Sequence, residues 1–228
     1  KMNKIQRFID KAQTGTPLVC LTAYTTPMAR SLAPYVDLLL VGDSMGTVIY
    51  GMDSTQDVTL EMMCAHGAAV VRAEANVPVI IDMPHGSYEA SNEQALNNAK
   101  QLMQETGADG LKLEGGRAIS ERISTLVDAG IPVFAHIGLL PQSAPDEGGY
   151  KIKGKTEEQI LNLIEDAKAI EEAGSFAVVI EGTIEEAAAR IDPALNIPTI
   201  GIGASAKCSG QILVSEDLLG ITHGHRPK

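Results

Sequence analysis

Asp43, Asp82, Lys112, Glu114, His136 and Glu181 each sit at or near the end of a short run rich in Val, Ile and Leu. Any one of them, alone at a strand end, would ordinarily just meet solvent. Four carboxylates converging on one mouth would repel one another and have their pKa values raised unless a cation joined them, and a bound divalent metal is the direct remedy. Oxygen donors with no Cys or His cluster favour a hard ion such as Mg2+, which keeps several waters and needs only one or two protein carboxylates. Asp43 and Asp82 are the expected direct ligands, and Glu114 binds directly or through water. Glu181, farther along the series, is left free to act as a general base. Lys112 and Glu114 are two residues apart on one strand, so they point to the same side, and there Lys112 would offer a positive charge to a substrate carboxylate. His136 has two readings: it hydrogen-bonds to the substrate or moves a proton, or it is a satisfied structural residue.

The elements that carry these residues recur with a regular beat. Apolar runs without polar alternation fall at about 18–24, 36–43, 78–83, 110–114, 132–137, 176–181, 197–202 and 218–222, the pattern of parallel strands buried on both faces. Between most of them lie amphipathic segments with helix punctuation. Ser91 with Gln94, Thr156 with Gln159 and Thr183 with Glu186 match a capping box, and Gly107, Gly130 and Gly174 mark helix ends. Eight such units with right-handed crossovers close most simply into a (β/α)8 TIM barrel, with a doubly wound open sheet as the alternative. The segment from Lys1 to Lys11 reads as an amphipathic helix capping one end. The helix after the seventh strand is expected to be short, at about 208–217, and the eighth helix to be absent.

Size and charge narrow the function. With 228 residues and 44% hydrophobic composition the chain can bury one sizeable core, so residues 1–228 are expected to form a single catalytic domain. A net charge of −11 offers no basic surface for nucleic acid and points to a small-molecule substrate. Cys20, Cys64 and Cys208 lie in apolar stretches, outside any CxxC pair, as expected of a reduced cytoplasmic protein. No apolar run reaches the ~18–20 residues of a membrane span, and the amphipathic start lacks a signal-peptide core. Residues 139–156 form a candidate mobile lid with Gly148, Gly149 and Gly154 as its flexible points; Lys151, Lys153 and Lys155 on it serve either solubility or contact with an anionic ligand. Gly201-Ile202-Gly203-Ala204 lacks the rest of a phosphate loop, and its glycines are expected to let backbone approach the substrate.

Specific motifs add a resemblance. Val41-Gly42-Asp43-Ser44, Gly51-Met52-Asp53-Ser54-Thr55, Lys112-Leu113-Glu114-Gly115-Gly116, His136-Ile137-Gly138-Leu139 with Pro141-Gln142-Ser143, Gly148-Gly149-Tyr150-Lys151, Gly201-Ile202-Gly203-Ala204 and Gly210-Gln211-Ile212-Leu213 occur in order from about residue 15 onward. Together they resemble the ketopantoate hydroxymethyltransferase family. The resemblance implies transfer of a hydroxymethyl group from 5,10-methylenetetrahydrofolate to 3-methyl-2-oxobutanoate, giving 2-dehydropantoate in pantothenate biosynthesis. It also implies Mg2+ dependence and a homo-oligomer, often a decamer. By position it makes Asp43, Asp82 and Glu114 metal ligands, Ser44 and Lys112 holders of the keto acid, and Glu181 the proton acceptor. Thr25, His85, Ser205 and His223 depart from the family pattern, and His85, just beyond Asp82, bears on the pocket wall. Family members continue past the run matched by His225 to Lys228, so an assembly or a further segment is expected to cover the apolar surface of the flanking first and seventh helices that a missing last helix leaves.

Two rivals remain at this stage. A lyase or mutase of the phosphoenolpyruvate-mutase and isocitrate-lyase kind shares the metal-and-enolate barrel, although its cysteine lid motif is not evident. A non-catalytic keto-acid sensor would have no need of Glu181.

Overall fold

The structure, a computed structural model, describes residues 3–222. Eight parallel strands close into a barrel in sequence order: β1 Leu18–Thr22, β2 Leu38–Val41, β3 Val79–Asp82, β4 Gly110–Glu114, β5 Val133–Gly138, β6 Ala177–Glu181, β7 Thr199–Ile202 and β8 Gly210–Leu213, with β8 returning to β1. Nine helices surround or extend them among the described residues: α1 Lys4–Gln13, α2 Thr26–Leu32, α3 Met45–Val48, α4 Leu60–Val71, α5 Asn92–Thr106, α6 Ser120–Asp128, α7 Glu157–Glu172, α8 Glu185–Ile191 and α9 Ser215–Leu218. This is the expected (β/α)8 TIM barrel, and no helix among the described residues is long and apolar enough to cross a membrane.

Alternation along each strand separates two cores. Inward residues pair around the ring, Leu40 with Ile80, Lys112 with Phe134, Phe134 with Ala177, Val179 with Ile200, and Cys20 with Ile212. Their apolar members form the barrel floor, which α1 plugs from below with Ile5 and Phe8. Phe8 meets Phe176 edge-on at 6.3 Å, and Phe176 stacks on the fully buried Phe134 at 5.6 Å. The outward residues, Leu39, Ile81, Leu111 and Val178 among them, pack against the helices. With the floor filled by hydrocarbon, the polar inward residues stand only at the top.

The helix signals are mostly honoured. Ser91 and Thr156 cap α5 and α7, accepting from the backbone N–H of Gln94 and Gln159 at 3.0 and 3.3 Å. The reciprocal glutamine oxygens reach one residue farther back than in an ideal capping box, to the N–H of Ala90 and Lys155. Gly107 ends α5 at φ 71°, a left-handed conformation that suits glycine. Thr183 is the exception. It does not cap α8, whose N-cap is Ile184; its hydroxyl is buried without a partner, and its backbone bridges Lys153 instead.

The end of the barrel also corrects the reading. Residues 208–217 do not form one helix and 218–222 are not a strand; β8 is Gly210–Leu213, and only the last part of the expected segment is helical, in the four-residue α9. The outer face of β8 and β1 carries no helix among the described residues, so Val19 and Leu213 are 44% and 42% exposed and Gln211 faces out. A strand wet on one face alternates instead of running apolar, which hides it from a search for buried strands. Gly210 is the other reason the segment fits: a Cβ there would lie 2.4 Å from the Leu18 carbonyl oxygen, so only glycine lets β8 close on β1. The exposed surface expected from a missing last helix is thus on these two strands, not on flanking helices.

Because Phe134 is the widest residue of the floor and is enclosed on all sides, Phe134→Ala is expected to cost about 3–5 kcal/mol of unfolding free energy. Urea denaturation followed by circular dichroism measures this; a loss below about 1 kcal/mol would mean that the floor recloses without it.

Candidate active site

The open top of the barrel holds a pocket lined by Asp43, Ser44, Asp82, Lys112, Glu114, His136 and Glu181, together with Thr22, Tyr150 and apolar side chains from β2, β6, β7 and β8. All seven residues expected to carry chemistry therefore meet in one place. Asp82, Lys112, Glu114, His136 and Glu181 come directly from β3 to β6, where the top of each strand points inward. Asp43 lies two residues past β2, in the turn that leads into α3, and Ser44 begins that helix.

Burial and charge set the electrostatics. Asp43, Asp82, Lys112, Glu114 and His136 are all at most 5% exposed. Lys112 Nζ lies 2.8 Å from Asp82 Oδ1, 3.8 Å from Glu114 Oε1 and 3.4 Å from His136 Nδ1. His136 bridges two acids, with Nδ1 3.5 Å from Glu114 Oε1 and Nε2 3.2 Å from Glu181 Oε2. Burial, Asp82 and Glu114 hold the Asp43 carboxyl well above the usual carboxylate range. Burial also raises Asp82, against the pull of Lys112. Glu114 is lowered because His136 and Lys112 outweigh its burial. Burial and Lys112 push His136 down, but Glu114 and Glu181 prevail and bring it to about 9. Lys112 stays protonated for the same reason, its three acidic neighbours exceeding the cost of burial.

One lysine and one histidine face four acids, so acid is in excess, and Asp43 and Asp82 are the two whose charged forms the protein alone disfavours. Asp82 Oδ1 is buried without a hydrogen bond, its contact with Lys112 being an ion pair of poor hydrogen-bond geometry. These observations fit a small hard cation. Among the described residues no three acidic, histidine or cysteine side chains form a ready-made cage.

The rest of the mouth separates expectation from outcome. Gly148, Gly149 and Gly154 have positive φ, as their place in the 139–156 loop suggests. Lys151 donates to the Glu147 carbonyl and Lys153 pairs with the Glu147 carboxylate, so these two lysines are engaged within the loop. The loop presents Pro141 and Tyr150 to the pocket. The glycines of 201–204 do not approach it: a Cβ on Gly201 would meet Gln211 and Cys208 on the outer side, and Ile202 is the residue that faces in. His85 turns to Glu89, 3.3 Å away, and is not part of the pocket wall. Thr25 caps α2, and Ser205 accepts from the Lys207 N–H. His223 and the run to Lys228 lie outside the described residues.

Two contributors escaped the sequence reading: Tyr88 and Gln142 form a buried polar pair at 2.6 Å against Asp43 and Glu114. Neither lies at the end of a strand, so spacing gave no signal. Tyr24, which closes the first apolar run, hydrogen-bonds to Ser44 Oγ at 2.7 Å. Gly138 has a more local task. At φ 94° its missing Cβ would lie 2.3 Å from the Glu181 carbonyl oxygen, so glycine lets β5 end flush against the residue that β6 delivers.

Residues 2–228 match the family model described as ketopantoate hydroxymethyltransferase. The 3-methyl-2-oxobutanoate hydroxymethyltransferase of Rhizobium rhizogenes is 54% identical over 96% of this chain and 80% of its own length. Among solved structures, phosphonopyruvate hydrolase in complex with oxalate and Mg++ superposes with a TM-score of 0.72 at 11% identity, covering 96% of this chain and 83% of that one. The 2,3-dimethylmalate lyase, a member of the PEP mutase/isocitrate lyase superfamily, gives 0.67 at 18% identity, covering 97% and 84%. The two distant structures share the barrel, whereas identity above one half along nearly the whole chain decides between relatives: the chain belongs to the ketopantoate hydroxymethyltransferase family of enzymes.

Proposed function

We propose that residues 1–228 act as one catalytic domain that makes 2-dehydropantoate from 3-methyl-2-oxobutanoate, with 5,10-methylenetetrahydrofolate giving up its one-carbon unit and one water consumed. The observation that carries this reading is the juxtaposition in one pocket of excess buried carboxylate, a buried ammonium and, at its edge, the less buried Glu181. A 2-oxo acid is small, anionic and acidic at C3, and each of those properties meets a group here.

In this reading Asp43 and Asp82 hold Mg2+, with Glu114 joining directly or through water. The bound cation supplies Lewis acidity at the carboxylate and keto oxygens of the keto acid, where charge develops. Lys112 and Ser44 hold the substrate carboxylate, with the Ser44 hydroxyl oriented by Tyr24. His136 orients the substrate from the opposite wall and, as a cation 3.2 Å from Glu181, keeps a positive charge beside the base. Glu181 takes the proton from C3; the two C–N bonds that hold the one-carbon unit break as water gives that carbon its oxygen and the folate nitrogens their hydrogens, and the enolate carbon bonds to it, the proton from Glu181 ending on the new hydroxyl. Closure of the 139–156 loop, with Tyr150 at its inner edge, shields the reacting carbons. The three free buried cysteines suit a cytoplasmic enzyme, and the bare outer face of β8 and β1 suits a homo-oligomer, a decamer by family resemblance.

Product analysis by mass spectrometry tests the reaction: the two substrates with Mg2+ should yield 2-dehydropantoate and tetrahydrofolate, and a protein that instead splits or rearranges the keto acid would be one of the lyase or mutase kind. Deuterium exchange at C3, measured without the folate, isolates the first step. Glu181→Gln should slow that exchange by about 10²–10⁴-fold, the usual worth of a positioned base, while keto acid still binds within a few-fold of wild type; undiminished exchange would remove Glu181 from the role. Mg2+ at 100 times its Kd should stabilise the fold by ~2.7 kcal/mol, read as a rise in Tm that Asp43→Asn cancels. An equal rise in the variant would place the ion elsewhere.

A further inference from the structure

Each of the three carboxylates around the proposed metal position has one oxygen tied to an N–H donor. Asp82 Oδ2 accepts from the Asp43 backbone N–H at 3.0 Å, Glu114 Oε2 from the Gln142 backbone N–H at 3.0 Å, and Asp43 Oδ2 from Gln142 Nε2 at 2.8 Å. The other oxygen of each stays on the cation side. Asp82 Oδ1 and Glu114 Oε1 face Lys112, and Asp82 Oδ1 is buried without a hydrogen bond. Two of the three ties come from one uncharged residue on the loop after β5.

Gln142 is itself fully committed. It is 2% exposed. The second hydrogen of its amide goes to the Met83 carbonyl at 2.9 Å, its Oε1 accepts from the Tyr88 hydroxyl at 2.6 Å, and its own carbonyl accepts from Gln56 Nε2 at 2.8 Å. Tyr88 in turn accepts from the Glu114 backbone N–H at 3.2 Å; its single hydrogen has two acceptors in reach, Gln142 Oε1 at 2.6 Å and the Glu114 carbonyl at 3.2 Å, and the shorter contact is to Gln142. With a carboxylate and a carbonyl on one side and an O–H on the other, the amide has only one orientation that satisfies every group. A carboxylate pinned at one oxygen loses most of its rotation, and the identity of its free oxygen becomes fixed, which is what supporting hydrogen bonds do for metal ligands.

We propose that Gln142, oriented by Tyr88, is a positioning residue for divalent-cation binding: it determines which oxygens Asp43 and Glu114 turn to the ion, and so makes the cation's affinity depend on the docked base of the 139–156 loop. The proposal rests on the metal reading given above. Gln142 touches neither substrate nor ion; it acts through the two acids.

Mn2+ serves as the probe, its free concentration read by electron paramagnetic resonance, with a circular dichroism melt to confirm that each variant is folded. Gln142→Met, near in shape but without the amide, should weaken Mn2+ binding at least tenfold. Tyr88→Phe, which keeps the ring and removes only the orienting hydroxyl, should weaken it about threefold, and Ser143→Ala on the same loop should leave it unchanged. A merely structural loss would not be repaired by more metal, so the second readout is C3 exchange against cation concentration. In Gln142→Met the half-saturating concentration should rise by the same factor as the Kd, and the rate at saturation should return to within about threefold of wild type. Folded Gln142→Met and Tyr88→Phe proteins that bind Mn2+ with wild-type affinity overturn the proposal and leave the metal reading intact. A wild-type protein that binds no Mn2+ overturns both.

Discussion

Negative charge held away from water is the constraint from which the rest of this molecule follows. Asp43, Asp82 and Glu114 are almost completely buried within reach of one another, and Lys112 and His136 are buried with them. Removing a carboxylate from water costs several kcal/mol unless opposite charge and hydrogen bonds compensate. Here two cationic side chains offset part of that cost, backbone and amide N–H groups offset more, and the remainder persists as acids whose pKa values sit above the usual range. A cation bound among these acids would satisfy what the folded protein alone leaves unsatisfied.

Such a cluster needs a rigid frame, and the barrel provides it by division of labour along its axis. The lower inward positions are filled by Phe134, Leu18, Leu38, Ile80 and their neighbours and sealed by Phe8 of α1. This floor keeps water from entering beneath the charged layer. The register between strands then sets the heights above it: Asp82 is level with Lys112, and Glu114 with His136, while Glu181 is level with Ile202 at the rim. Glu181 is consequently the least buried of the four acids in the pocket, its side chain 22% exposed and at the edge where a second substrate would arrive.

Much of this was legible in the sequence because parallel strands buried on both faces announce themselves as apolar runs, and a charged residue at the end of such a run has few places to go except the mouth. Asp82, Lys112, Glu114, His136 and Glu181 were found on that basis. What failed did so for identifiable reasons. β8 is wet on its outer face and four residues long, so it carries neither length nor hydrophobicity, while the apolar residues after it belong to α9 and the exposed turn beyond. Thr183 has the spacing of a helix cap, but pairing with Lys153 across space took precedence over that local bond. Gly201 and Gly203 suggested a close approach to substrate and instead shape the outer side of the barrel. Gln142 and Tyr88, far apart in sequence and both in loops, become a pair only once the fold is closed.

The bridge between Lys153 and Thr183 bears on how the 139–156 loop can behave. At its near end the loop is moored by Gln142; at its far end Lys153 donates to the Gly182 carbonyl and accepts from Ile184, immediately beyond the top of β6. A strap fastened at both buckles cannot swing away as a flap hinged on one side does. Only its slack, residues 143–152, is left to rise and fall, an arch whose crown carries Tyr150. Any widening of the pocket on this side would then come from a rise of that arch, with both footings undisturbed.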